Sequence, residues 1–266
     1  MNAVPADPLQ RIAELPGVAE AVQETRGIVD RLLGHRVLRR RSAEVSMESA
    51  LRGARASAVL EGADAALEQV RAGESGDPRV KGALRVSGEL GSMADTWTKA
   101  PRQVLARLHT LAAADEVPTD GLGRPRAQGE PADDPLGIGM PPDPPQVAAR
   151  LEALTALLAA RASVPALVVG AIVHGELASL RPFGWGDGIV ARAAERLTLI
   201  DRGLDPKSLV PTELGYEETR GEYGPALLGY TSGTPEGVAT WVTYCCRAVA
   251  AGARDSLATC EALKRG

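Results

Sequence analysis

Apolar residues recur at helical spacing along most of the chain. Val18, Val22, Val29 and Leu32 fall on one face of a first helix, and the same period predicts a second from about Ser46 to Leu60. Gly62 reads as a stop, and Asp64 as the N-cap of a following helix with Leu67 and Val70 facing inward. Pro101 suits a first helical turn, and Val104, Leu105, Leu108 and Leu111 share one side behind it. Periodicity resumes in VAARLEALTALLAAR and in VPALVVGAIVHGELASL, where Pro165 suits a helix start and apolar residues fall on nearly every side. That helix is expected at the buried centre of the fold. A further amphipathic helix, IVARAAERLTLIDRGL, ends at Gly203, and the last helical stretches include ATWVTYCCRAVAAGARDSLATCEAL. No period-2 alternation marks a strand, so the expected fold class is all-α.

Residues 114–146 interrupt this pattern with ADEVPTDGLGRPRAQGEPADDPLGIGMPPDPPQ, a stretch too rich in Pro, Gly and Asp for a regular helix. It is long for a plain connector, which points to a functional or disordered loop. Aromatic residues make up 3% of the chain and Phe183 is the single phenylalanine, so the core must be built from Leu, Val, Ile and Ala. A net charge of −4 gives no support for nucleic-acid binding across the domain. Cys245, Cys246 and Cys260 fit neither a disulfide framework nor a zinc spacing. The N-terminus lacks a basic region followed by an apolar run, and VPALVVGAIV is too short to span a bilayer. A cytoplasmic protein is expected.

The candidate chemistry lies in RPFGWGDGIVAR, from Arg181 to Arg192, between the apolar helix and the next one. It resembles the signature of the Fic (Fido) family, HPFx(D/E)GNGRxxR. Pro182, Phe183, Gly186, Gly188 and Arg192 match, while Arg181, Trp185, Asp187 and Ile189 replace the family's His, acidic residue, Asn and first Arg. Gly184 fills the variable position. Upstream, PPDPPQVAARLEALTALLA and PALVVGAIVHGELASLRPF are similar to the family's proline-led and central helices; downstream, EYGPALLGYTSGTPEGVATWVTY is similar to its tail. SAVLEG, from Ser57 through Glu61 to Gly62, resembles the (S/T)xxxE(G/N) element of members that carry an inhibitory helix on the N-terminal side.

The resemblance implies an N-terminal helical region over residues 1–112, with its inhibitory-type helix at about 46–62, and a Fic-like core over 113–266. Residues 114–146 stand where the family has its flap, a loop or short hairpin that docks a target by edge pairing. Their poverty in β-branched residues leaves edge pairing or a flexible surface loop as alternatives. The family transfers AMP from ATP to a protein hydroxyl, with the motif His as general base. Arg181 stays protonated and cannot accept that proton, a loss expected to cost roughly 10²–10⁴-fold in rate. Trp185 offers no oxygen to the Mg²⁺ that the acidic residue would hold. Asp187 is expected to cap the following helix and to repel phosphate there, and to pair with Arg181. Trp185 is expected either to plug the former phosphate site or to face a partner, and Phe183 to anchor the core. Glu61 and Arg192 match the two members of the inhibitory ion pair that the resemblance implies, and with the reacting residues replaced the pair is expected to serve as a structural clamp.

No catalytic residue and no metal site is therefore expected. His174 lies seven residues before Arg181, about 10 Å along the helix, and reads as a packed, hydrogen-bonded histidine. His35 and His109 have no partners at metal spacing. HRVLRRR is either a polyanion contact or a solvated helix face. The leading expectation is a Fic-like pseudoenzyme that binds a protein partner, with no cofactor, no membrane and no nucleic acid. The alternative is a noncanonical transferase that binds ATP and Mg²⁺, or another phosphorylated ligand, through Arg181 and Arg192.

Overall fold

The computed structural model describes residues 8–160 and 163–265. The extreme N-terminus, and Arg161 at the end of the expected VAARLEALTALLAAR helix, lie outside the described residues. Helices α1 (Pro8–Ala13), α2 (Val18–Leu33), α3 (Leu38–Leu60), α4 (Leu67–Ala72), α5 (Pro78–Trp97) and α6 (Pro101–Ala113) precede the long loop. After it come α7 (Pro144–Ala159), α8 (Ala166–Leu180), α9 (Asp187–Asp201), α10 (Thr212–Glu218), α11 (Arg220–Thr231) and α12 (Pro235–Arg265). Among the described residues the fold is all-α, with no strand.

Boundaries follow local chemistry. Asp77 and Asp143 cap α5 and α7, their carboxylates accepting from Arg79 N at 2.8 Å and Gln146 N at 2.9 Å, each with a proline in the first turn. The expected cap at Asp64 does not form: α4 starts at Leu67 behind extended Ala66. The segment before it alternates instead, burying Ala63 and Ala65 while Asp64 stays exposed, and Arg55 Nε donates to the Ala65 carbonyl at 2.9 Å. The helix expected at 46–60 begins at Leu38 and is interrupted by non-helical Arg41.

Helix α8 is apolar all round and buried, as its sequence requires. Its partner α9 is not the amphipathic helix expected: from Asp187 to Leu199 every residue but Gly188 is buried. Its packing neighbours explain this. Helices α3, α5 and α6 pack on α9 from the N-terminal side, while α8 covers it from the C-terminal side and is itself covered by α11 and α12. Trp97 of α5 donates to Thr198 at 3.0 Å, and Trp241 of α12 donates to the Ala171 carbonyl at 2.7 Å. Helix α2 packs along α12. No described helix is long and apolar enough to cross a membrane.

Candidate functional site

The α8–α9 connection is the motif 181–192. Arg181 ends α8 in the left-handed region (φ 42°), and Gly184 and Gly186 take positive φ values that glycine adopts without a Cβ penalty. Gly184 also meets the loop closely, since a Cβ there would lie 2.6 Å from the Pro131 carbonyl. Pro182 is buried, and the half-buried Phe183 ring stacks on His109 at 4.3 Å. Burial holds the His109 imidazole down at about 4, so it stays neutral there.

Asp187 does not cap α9, whose N-cap is Gly186. Its carboxylate reaches back and accepts from Phe183 N at 2.9 Å and Gly184 N at 2.7 Å, closing the turn that precedes the helix. Burial raises its pKa from 3.8 to about 7, against the lowering effect of those two amides.

Nor does Arg181 pair with Asp187. It turns to the loop, donating to the Asp133 carbonyl at 3.0 Å and to the Gly139 carbonyl, with Asp134 Oδ1 at 3.3 Å. Desolvation lowers its pKa, opposed by Asp134 and Asp187. The loop between α6 and α7 is packed onto the motif: Arg126 N donates to the Pro182 carbonyl and Asp133 N to the Gly184 carbonyl, each at 2.8 Å. Asp134 organises it from inside by accepting from Ile138 N and Gly139 N. No hairpin forms there. Loop residues Asp133, Asp134, Leu136 and Ile138 meet Glu61, Arg181 and Asp187 around a residual cavity of 20 Å³. Trp185 is half-buried and does not line it.

Arg192, in the second turn of α9, is wholly buried. Nη2 lies 2.8 Å from Glu61 Oε1 and 3.0 Å from the Ser57 carbonyl, and Nε donates to Ser57 Oγ at 3.0 Å. Burial disfavours the cation, yet Tyr223 and Glu61 together raise its pKa above the ordinary arginine value. Glu61 is the C-cap of α3, and Gly62 follows in the left-handed region (φ 96°). Gly188 makes room for the pair: a Cβ there would stand 2.1 Å from Glu61 Oε1.

Behind Arg192 lies a polar network that the sequence did not announce. Arg192 Nη1 reaches Tyr223 OH at 3.5 Å, which bonds His174 Nε2. His174 Nδ1 meets Glu195 at 3.0 Å and Tyr216 OH at 3.1 Å, and Tyr216 OH donates to the Glu195 carboxylate at 2.9 Å. Cys245 completes a buried group in which ligand atoms of His174, Glu195 and Cys245 lie within 4.8 Å of one another. Burial pushes the Cys245 thiol well above its ordinary range, so it is neutral. The network draws on α8, α9, α10, α11 and α12, and no fixed spacing along one helix could have marked it. All three cysteines are free and buried. His35 bonds Glu261 at 2.9 Å, while Arg36, Arg39 and Arg40 are exposed to solvent.

No protein-family model matches the sequence, nor does any curated protein. The fold does have solved counterparts. A Fic family protein from Desulfovibrio desulfuricans G20 aligns with a TM-score of 0.72 at 22% identity, over 90% of this chain and 74% of that one. A fragment of Fic-1 from C. elegans aligns at 0.66 and 19% identity, over 90% and 71%. A glutamate-to-glycine variant of that fragment gives 0.67 and 20%, over 90% and 72%. The fold is that of the Fic proteins. Within it, the motif departs from HPFx(D/E)GNGRxxR at the positions that carry the family's reaction.

Proposed function

We propose that this protein is a Fic-like pseudoenzyme, a member of the Fic family that does not transfer AMP and acts by binding a protein partner. The observation that carries this reading is the state of Arg181. At the position of the family's general base stands a permanent cation, buried and tied to the Asp133 and Gly139 carbonyls and to Asp134. It holds the loop down over the place where substrate would enter.

The remaining residues do not fit Mg²⁺ and ATP. A cavity of 20 Å³ has room for roughly one water and is far below the ~300 Å³ at which small-molecule sites begin. Three of its four carboxylates are already engaged, Asp187 by two backbone amides, Asp134 by two amides and Arg181, and Glu61 by Arg192, while the fourth, Asp133, is exposed to solvent. In this reading the α3 end from Ser57 to Gly62 is the family's inhibitory element, kept as a structural clamp. The transferase alternative needs Arg181 and Arg192 to grip a phosphate, and both guanidinium groups are committed elsewhere.

Titration calorimetry of ATP, with and without Mg²⁺, into the wild type and Glu61→Gly tests this. No binding up to millimolar nucleotide is expected in either protein. Binding that emerges in Glu61→Gly would expose a usable phosphate site beneath the clamp and replace this reading with the transferase.

A further inference from the structure

A second, larger cavity lies on the other side of Phe183. This cleft of 340 Å³ is enclosed by α6, α7 and the loop between them, and its walls include Leu105, Val147, Leu151 and Phe183. Its size is within the ordinary range for small-molecule sites. Two cations line it: Arg102, exposed and paired with Glu152 at 2.6 Å, and Arg126, set into the apolar wall. Arg126 is 8% exposed and lines the cleft. Its Nε donates to the Arg181 carbonyl at 3.1 Å and its Nη2 to the Pro142 carbonyl, both neutral acceptors.

Nη1 makes no hydrogen bond, and Arg126 forms no ion pair among the described residues. Glu130 is near enough to feel its charge, but gives its oxygens to Arg124 and to Ala127 N. A buried cation without a counter-charge is costly. An apolar cleft holding one unused charged donor matches an anion with an apolar body, because the ligand's charge would supply the missing partner. His109 behind Phe183 is neutral and Arg102 is already neutralised by Glu152, so a single negative charge on the ligand suffices.

We propose that this cleft binds a small aliphatic carboxylate, its head on Arg126 Nη1 and its chain against Leu105, Val147, Leu151 and Phe183. The site is independent of the Fic reading and of any nucleotide. It is also coupled to the motif, since Arg126 holds the Arg181 carbonyl through its side chain and the Pro182 carbonyl through its backbone amide.

Octanoate and its neutral counterpart octanamide are the probes, titrated calorimetrically at neutral pH into the wild type, Ala148→Phe and Arg126→Met. Ala148 is exposed and lines the cleft, so phenylalanine there fills its mouth without entering the core. Octanoate is expected to bind the wild type about tenfold or more tightly than octanamide, the equivalent of one charge-assisted hydrogen bond. Ala148→Phe should abolish octanoate binding, and Arg126→Met should reduce it to the octanamide level. The proposal fails if octanoate does not bind, if octanamide binds equally well, or if Ala148→Phe leaves the affinity unchanged. Should Arg126→Met not fold, the probe pair and Ala148→Phe decide the matter.

Discussion

Arg192 and Glu61, 131 residues apart in sequence, meet at 2.8 Å inside the protein, with the guanidinium fully buried and the carboxylate side chain 7% exposed. Buried pairs of this kind add little over a well-packed apolar pair, but removing one partner strands the other. Glu61→Gln keeps the shape and removes the charge. It should lower unfolding stability by about 3–5 kcal/mol, measured as a shift of the urea midpoint at constant m-value. An unmoved midpoint would show that the pair is not a clamp.

Gly188→Ala tests the same contact from the opposite helix. The new methyl would collide with Glu61 Oε1, which can swing away because it is the end of a flexible side chain. The substitution should therefore open the pair rather than distort α9. In a double-mutant cycle, Gly188→Ala should cost almost nothing further once Glu61→Ala, which removes the atoms it would strike, is present. Additive losses would mean that the glycine serves something other than the ion pair.

Asp187 should make stability depend on pH. Its folded-state pKa of about 7 lies above the unfolded 3.8, so between these values the folded protein binds the extra proton. Stability from this group is thus greatest at the acid end, falls as pH rises from about 4 to 7, and is level above that. The loss is on the order of 2–4 kcal/mol. Urea midpoints of the wild type relative to Asp187→Asn, taken across this range, should fall with rising pH. A rising or flat difference would place the folded pKa at or below the unfolded one.

Arg181 should control the loop. Arg181→Gly deletes its contacts with Asp133, Asp134 and Gly139, while relieving a left-handed conformation that costs a bulky residue roughly 1–2 kcal/mol. Global stability should change little, and the amides of Asp133 and Gly139 should exchange about tenfold faster or more. Unchanged hydrogen exchange at those amides would mean that the loop is held by other contacts.

Much of the helical plan was legible because it follows from periodicity and punctuation: Pro101, Pro165, and the all-apolar α8 each mark themselves. Helix α5 was not, and the cause is its composition. Gly82, Gly88 and Gly91 weaken its helical signal, yet Gly82 is there because a Cβ would stand 2.0 Å from the Ala112 carbonyl of α6. Close helix packing overrode propensity. The Ser57, Glu61 and Arg192 contact followed a family resemblance, whereas the partners of Arg181 and Asp187 did not. Both were expected to find each other across the motif. Each instead took backbone groups: Asp187 those of the turn itself, Arg181 those of a loop whose course no periodic pattern describes. The His174, Glu195, Tyr216 and Tyr223 network shares this property, since it exists only once four helices have assembled.

That assembly has a kinetic side. The Arg192 contacts join α9 to α3, and through Tyr223 to α11, across long stretches of chain that must be brought together before any bond can form. Contacts this distant raise the contact order, and with it the time the chain needs to fold. Interactions absent from the transition state slow unfolding more than they hasten folding. Any of the buried arginine's contacts that form after that transition state therefore act on the lifetime of the native protein, because they must break before three distant segments can part.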